Sequence, residues 1–399
     1  MNILVINSGS SSIKYQLFQT PKFECLCSGL VERIGLENAV ITHQVKLGVE
    51  EKVFKKNLEL KDHAAGMAEV CELLLDPEIG VIQNPDDINC VGHRVVHGGE
   101  VFSDTTLITA KVKEEIQKLF SMAPLHNPGQ YLGITLAEKI FPKAKQVVVF
   151  DTAFHQTIPE KAFRLALPNS FYEENKIRVY GFHGTSHKYV AQQALSYLAK
   201  PDAKIVTIHL GNGCSMAAIN GEKCIDTSMG FTPLDGLIMG SRCGDIDPSV
   251  VLYLLSDLGY SAQEVHHILN AESGMLGLTG SSDMRDVKKL YLAGDEGAIL
   301  AYDMYAYRIQ KYIGAYAAAL NGLDAIVFTG GVGENDYLTR ELVCTDMEFL
   351  GIRLNRDKNS QTLKGIHEIN AHDSHTKVLI IHTNEGLEIA QQCVQLIKN

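Results

Sequence analysis

The sequence predicts an α/β protein of two domains built on a duplicated core, and three observations carry that prediction. First, 399 residues exceed what one ordinary hydrophobic core organises. Second, short apolar runs of strand type alternate with amphipathic helical patterns along the chain. Third, ILVINSGSSSIKYQLF at 3–18 is echoed by IVTIHLGNGCSMAAI at 205–219, and VGHRVVHGGE at 91–100 by IVFTGGVGEN at 326–335. Two like pairs in the same order point to two halves that present equivalent turns to each other. No Gly/Ser-rich, Pro-rich or charge-block linker separates the halves, so they are expected to share a cleft.

The elements follow in order. An unbroken apolar run at 3–6 stops at Asn7, and a second strand resumes at 13–18 beyond a tip of serines and glycine. Further strands are expected at 90–96, 146–150, 205–209, 216–219, 325–329 and 378–382. Helices are expected at 110–120, 131–141, 187–199, 248–258, 262–270, 284–293 and 297–320. A final helix is expected at 385–397, where Leu387, Ile389, Ala390, Val394 and Ile397 fall near helical spacing.

Composition narrows the function. With 45% hydrophobic and 21% charged residues, this is the make-up of a soluble globular protein. A formal charge of −11 argues against non-specific nucleic-acid binding, yet leaves room for an anionic small substrate held by local cations. Nine scattered cysteines without a CxxC point to a reducing, cytoplasmic setting. The first apolar run has no basic flank or cleavage site, so no signal peptide is expected. No stretch approaches the ~20 apolar residues of a membrane span.

Chemistry is concentrated at the turns and strand ends. Gly and Ser let backbone N–H groups approach an anion, so NSGSSS could cradle phosphate with Lys14 in reach, or be only a solvated hairpin tip. The stronger case is HLGNGCS, with a glycine on either side of Asn212 directly after a strand. GGVGEN at 330–335 closes another strand but lacks the GxGxxG spacing, and no GxxxxGK[ST] occurs. Asp151 ends an apolar run, where ligands of open α/β sheets bind; it could hold a metal, meet a reacting oxygen, or cap a turn. Arg94 inside a strand must pair with a carboxylate or phosphate, or with a structural acid. Arg242 sits among loop glycines with Asp245 near enough to neutralise it. SSDMRD at 281–286 reads as a helix start capped by Ser282 or Asp283. Among 15 histidines, His183 stands out in YGFHGTSHKY for its loop setting. No zinc spacing and no GxSxG are present, so neither a structural metal nor a simple serine hydrolase is expected.

In order along the chain stand NSGSSSIKY, GHRVVHGG, MAPLHNPG, FDTAFHQTIP, YGFHGTSHKYV, HLGNGCS, DTSMGFTPLDG, GDIDP, SSDMRD, GGVGEN and TNEG. Together they closely resemble the acetate kinase family, which also contains propionate kinases. The resemblance runs from Asn2 to the last helix. It implies a two-domain, duplicated ribonuclease-H-like (actin-like ATPase) α/β fold with an interdomain cleft. Residues 1–150 with 385–399 would form the first domain, closed by the C-terminal helix. Residues 151–384 would form a nucleotide-binding and dimerisation domain. The implied reaction is reversible transfer of the ATP γ-phosphoryl group to acetate, giving acetyl phosphate and ADP. Mg²⁺ would assist, with Mn²⁺ a substitute, in a cytoplasmic homodimer that binds neither nucleic acid nor membrane.

The resemblance also implies roles. Asn7 and Glu385 match the metal site, and Ser10, Ser12 and Lys14 the first phosphate turn. Arg94 matches the arginine that receives the carboxylate, and Val96, Leu125, Phe182 and Pro233 the methyl pocket. Asp151 matches the catalytic carboxylate, and His183 and Arg242 the pair that stabilises the transferring phosphoryl group. His209, Leu210, Gly211, Asn212 and Gly213 match nucleotide segments, as do Asp283, Met284 and Arg285. So do Gly331, Val332, Gly333, Glu334 and Asn335. Acetate needs no deprotonation at pH 7, so Asp151 is expected to position metal and substrate more than to act as a base. Two departures stand out: Cys243 beside Arg242, where serine is also common, and Gly386, where a second glutamate is frequent. Val96 favours acetate over propionate. A non-catalytic nucleotide switch on the same fold would leave Arg94, His183 and the apolar pocket without a purpose.

Overall fold

A computed structural model describes residues 1–47, 50–361 and 365–398. The chain divides into two units, Met1–Phe154 with Asn384–Asn399, and His155–Thr383. Asp151 therefore belongs with the first unit.

In the first unit β1 (Asn2–Ser8) and β2 (Ser12–Gln19) form an antiparallel hairpin in which Asn7 faces Lys14. The meander continues through β3 (Glu24–Glu32), β4 (Ala39–Leu47) and β5 (Glu50–Leu58). On the other side of β1 lie β6 (Ile88–Val95), β7 (Thr106–Leu107) and β8 (Lys145–Phe150). The sheet order is β5-β4-β3-β2-β1-β6-β8-β7, with β6 parallel to both β1 and β8. The period-2 alternation of β1 explains its two burials. Leu4 and Ile6 join a core with Met67, Val70 and Leu74 of helix His63–Leu75 and with Ala137 of helix Asn127–Ile140. Ile3 and Val5 instead meet Ile389, Ala390, Cys393 and Val394 of the final helix Glu385–Lys398.

The second unit holds β9 (Lys204–Leu210), β10 (Cys214–Asn220), β11 (Lys223–Thr227), β12 (Ala325–Thr329), β13 (Ile366–Glu368) and β14 (Lys377–Ile381). Their order is β11-β10-β9-β12-β14-β13. The pairing β9–β10–β11 is antiparallel, while β12 is parallel to both β9 and β14. Five strands of each sheet thus share one plan, β3-β2-β1-β6-β8 and β11-β10-β9-β12-β14. The repeat read from the sequence is a repeat of topology.

Several elements differ from expectation. Strands β3 to β5 and helix His63–Leu75 stand beyond the expected elements; β5 is mostly exposed and carries no apolar run. GGVGEN, read as closing a strand, itself forms a short helix, Gly330–Asn335, directly after β12. The helix expected from 187 begins at Gly184, directly after His183. Among the described residues no helix is long and apolar enough to cross a membrane.

Candidate active site

The first unit collects its charges at the ends of β1, β6 and β8. The β1–β2 tip is closed by Gly9 N–H donating to Ser12 O at 2.8 Å, which leaves Ser10 exposed and Ser12 half-buried. Asp151 leaves β8 with its N–H donating to Val95 O at 3.0 Å, so its carboxylate arrives beside Arg94. Arg94 Nε donates to Asp151 Oδ1 at 3.0 Å, and Nη2 donates to Oδ2, a forked pair. Arg94 Nε also lies 3.8 Å from Glu385 Oε2. Burial alone would lower the Arg94 pKa, but the charges of Asp151 and Glu385 outweigh it and the guanidinium is held more firmly protonated. Asp151 is 1% exposed, so this ion pair is largely shielded from solvent.

A small cavity beside the pair is lined by Asn7, Lys14, Gln16, Arg94, Glu385 and Gly386. Glu385 is the first residue of the final helix, where the helix dipole favours an anion. Its carboxylate and the Asn7 amide are hard oxygen donors. Among the described residues no group of three or more His, Cys, Asp or Glu is placed to hold a metal. One carboxylate and an amide suit Mg²⁺, which keeps waters and substrate phosphates in its shell.

The residues matched to the methyl pocket are divided between the units. Val96 is buried, and its N–H donates to Gln130 Oε1 at 2.9 Å. Leu125, on the same unit, is 68% exposed. Phe182 and Pro233 belong to the second unit, with Phe182 buried and its carbonyl 2.9 Å from His155 Nε2. Pro233 O accepts from Arg242 Nη1 at 3.2 Å.

The second unit builds its site around β9 and β10. His183 holds φ +53°, a left-handed conformation, immediately before helix Gly184–Leu198. Its Nδ1 is 2.9 Å from Ser215 Oγ on β10, and its ring stacks on His209 with centroids 4.5 Å apart. The β9–β10 tip is closed by Gly211 N–H donating to Gly213 O at 3.0 Å. A Cβ added at Gly213 would lie 3.4 Å from His183 Cε1 and 3.5 Å from Arg242 Nη1. This glycine keeps open the space on which His183 and Arg242 converge. Burial lowers the pKa of Arg242, which makes its guanidinium a poorly solvated charge suited to an anion.

A cavity of about 750 Å³ opens from the same tip. Eight residues expected at the nucleotide line it: Gly211, Asn212, Asp283, Met284, Arg285, Gly331, Val332 and Asn335. Asp283 is the helix cap, accepting from Arg285 N–H at 2.9 Å, and hydrogen bonds from Arg285 hold its carboxyl down at about 2. His209 and Leu210 lie buried in β9 behind the cavity, and Gly333 is buried in the helix start. Glu334 turns its carboxylate to the backbone, where Oε1 accepts from Gly330 N–H and Thr383 N–H, both at 3.0 Å. It fastens the strand–helix junction.

A model of the acetokinase family matches residues 2–391. The chain belongs to the acetokinase family. It is 54% identical over 399 residues to an acetate kinase of Flavobacterium johnsoniae, covering 100% of both chains. It is 50% identical over 403 residues to an acetate kinase of Thermotoga maritima, covering 100% of this chain and 99% of the other. Its fold matches the crystal structure of Porphyromonas gingivalis acetate kinase with a TM-score of 0.92 at 43% identity, covering 99% of both chains. A propionate kinase from Francisella tularensis matches with a TM-score of 0.91 at 41% identity, covering 98% of both chains. The two-domain α/β fold is therefore that of acetokinases, the actin-like ATPase fold.

In this acetokinase the sequence reading missed several residues around the site. Lys288 and Asp336 also line the 750 Å³ cavity, bonded to each other at 2.7 Å, with Lys288 Nζ 3.8 Å from the Tyr337 ring centroid. Helical spacing from Arg285 was a usable signal for Lys288, since residues three apart share a face. Ser215, His187 and Thr207 form a chain behind His183, for which the sequence held no signal.

Proposed function

We propose that this protein catalyses reversible transfer of the γ-phosphoryl group of ATP to acetate, giving acetyl phosphate and ADP. The observation that carries the reading is full-length similarity to acetate kinases at 50–54% identity. The geometry supports it: a forked cation, Arg94, suits a carboxylate, and the cavity beside Gly211 and Asp283 suits a nucleotide.

Arg94 receives the carboxylate, and Asp151 orients Arg94 through the forked pair. One acetate oxygen attacks the γ-phosphorus as the bond to the β-bridging oxygen breaks, and ADP departs with that electron pair. No proton has to move, so alignment and charge neutralisation provide the catalysis. Lys14 and Arg242 neutralise the phosphoryl oxygens, and His183 donates a hydrogen bond to them. Ser10, Ser12 and the Gly211–Gly213 turn hold phosphate through backbone and hydroxyl donors. Mg²⁺, or Mn²⁺ in its place, held by Asn7 and Glu385, supplies further positive charge to the phosphates when bound. Val96, Leu125, Phe182 and Pro233 are the apolar residues assigned to the methyl group. His209, Leu210, Gly333 and Glu334 shape the nucleotide site from behind.

We further propose a cytoplasmic homodimer. Nine free thiols support a reducing compartment, and exposed Val250, Leu252 and Tyr253 on helix Pro248–Ser256 support self-association. A propionate kinase is the second reading, favoured by the Francisella tularensis structure.

Hydroxylamine trapping with Mg-ATP and acetate, propionate or butyrate tests both readings. Hydroxamate is expected to be greatest with acetate, smaller with propionate and negligible with butyrate. A propionate maximum would select the second reading, and no product with any acid would end both.

A further inference from the structure

Behind His183 runs a chain of hydrogen bonds that the phosphoryl-transfer reading does not use. His183 Nδ1 lies 2.9 Å from Ser215 Oγ, and the same oxygen lies 2.8 Å from His187 Nε2. His187 Nδ1 in turn lies 2.7 Å from Thr207 Oγ1. Ser215, His187 and Thr207 are all fully buried, on β10, the helix after His183, and β9. Each hydroxyl has one hydrogen and a neutral imidazole has one N–H, so donation along such a chain can run in either of two directions.

Thr207 decides between them. In one order His187 donates to Thr207, whose hydrogen must then go to Ala217 O at 3.5 Å, beyond the range of a good O–H···O bond. In the other, Thr207 donates to His187 Nδ1 over 2.7 Å. His187 Nε2–H then donates to Ser215 Oγ, and the Ser215 hydroxyl donates to His183 Nδ1. Burial, reinforced by His155 and His209, pushes the His187 pKa well down, so His187 is neutral and fits this single order. The opposite edge of the His183 ring faces the β9–β10 tip. A Cβ at Gly213 would lie 3.4 Å from Cε1 and 3.6 Å from Nε2 of His183.

We infer that Ser215 is a positioning residue which, ordered by His187 and Thr207, keeps the proton of the neutral His183 ring on Nε2. His183 then presents an N–H donor to the transferring phosphoryl group without first becoming an imidazolium. The same hydroxyl contact helps hold the ring in its stack on His209, so it acts on orientation as well as tautomer. The inference rests on the kinase reading of His183, and it adds three residues to which that reading gives no role.

The test is ¹⁵N–¹H NMR of the full chain with labelled histidine rings, His183 being assigned by its loss in His183→Gln. In the wild type His183 should show the Nε2–H tautomer. Ser215→Ala should mix the tautomers and lower kcat roughly 10-fold to 100-fold, with KM for ATP and acetate held within about threefold. Ser215→Thr should restore most of kcat. Should Ser215→Ala fail to fold, Thr207→Val, which removes the first donor at near-constant shape, should mix the tautomers in the same way. An Nδ1–H tautomer in the wild type would overturn the inference, as would a Ser215→Ala protein with unchanged spectrum and kcat. A wild type with the Nε2–H tautomer but no acyl phosphate would instead remove the kinase reading and leave the proton order standing.

Discussion

The two units carry the same hairpin at the same place in the same strand order, yet surround it differently. The β1–β2 tip stands near fixed charges: Lys14 across from Asn7, and Arg94 paired with Asp151 and Glu385. The β9–β10 tip stands among imidazoles and hydroxyls, with Arg242 as the guanidinium in reach. One tip relies on ion pairs that compensate one another, the other on hydrogen-bonded imidazoles and hydroxyls beside the Arg242 guanidinium. A duplicated core therefore fixes where ligand-facing turns emerge and leaves their chemistry free. The first tip gathers a cation that suits a carboxylate, and the second offers Arg242 beside hydrogen-bond donors, which suits an anion.

The comparison breaks most visibly at the ion pair. Arg94→Gln is expected to lower kcat/KM for acetate about 10³-fold or more, since the carboxylate loses its forked partner. It also leaves Asp151 buried without its counter-charge, which costs roughly 3–5 kcal/mol of stability by urea unfolding. The double variant Arg94→Gln/Asp151→Asn should regain most of that stability and none of the turnover. Asp151→Asn alone should lose turnover while Arg94 stays folded in place. Near-full turnover in Asp151→Asn would end the orienting role given to Asp151, and a fully stable Arg94→Gln would show the pair to be uncoupled from folding.

How far these features were legible from the sequence varies with their physical origin. Asn7, Lys14, Arg94 and Asp151 could be read because each interrupts an apolar run, and charge inside a strand must have a purpose. The duplication was legible because small-residue turns recur after like strands. Strand β5 was not, since Glu50, Glu51, Lys52, Lys55 and Lys56 guard an exposed edge with charge and erase its apolar signal. The helix at Gly330–Asn335 was hidden by its glycines. Gly330 takes φ +78°, where a Cβ would press to 2.7 Å of Leu210 O, so the glycine belongs to strand–helix packing. Ser215 and His187 looked like an ordinary strand serine and helix histidine, because only pairing of β9 with β10 brings Thr207, Ser215 and the helix together.

On the β9–β10 tip a smaller change is informative. Gly213→Ala adds one methyl at ordinary contact distance from His183 and Arg242, so folding stability should change by less than about 0.5 kcal/mol. The methyl would occupy the side on which those two groups meet the phosphoryl oxygens. We expect kcat to fall roughly tenfold with KM for acetate unchanged, measured by steady-state kinetics. A wild-type kcat would show that the γ-phosphoryl group does not pass this tip.

The smallest expected effect concerns the acid itself. Val96 is 6% exposed, and its backbone is pinned by Gln130, so its side chain is a rigid wall. Val96→Ala removes two methyl groups from that wall. One methylene in an apolar pocket is worth about 1–3 kcal/mol, and the preference should shift by part of that. The ratio of kcat/KM for propionate to that for acetate is expected to rise about three- to tenfold through KM for the acid. KM for ATP should not move, because the nucleotide cavity is lined by residues of the other unit. An unchanged acid ratio would assign Val96 to the core of the first unit alone, whereas a shift in KM for ATP would show that the two tips are not separable by substrate.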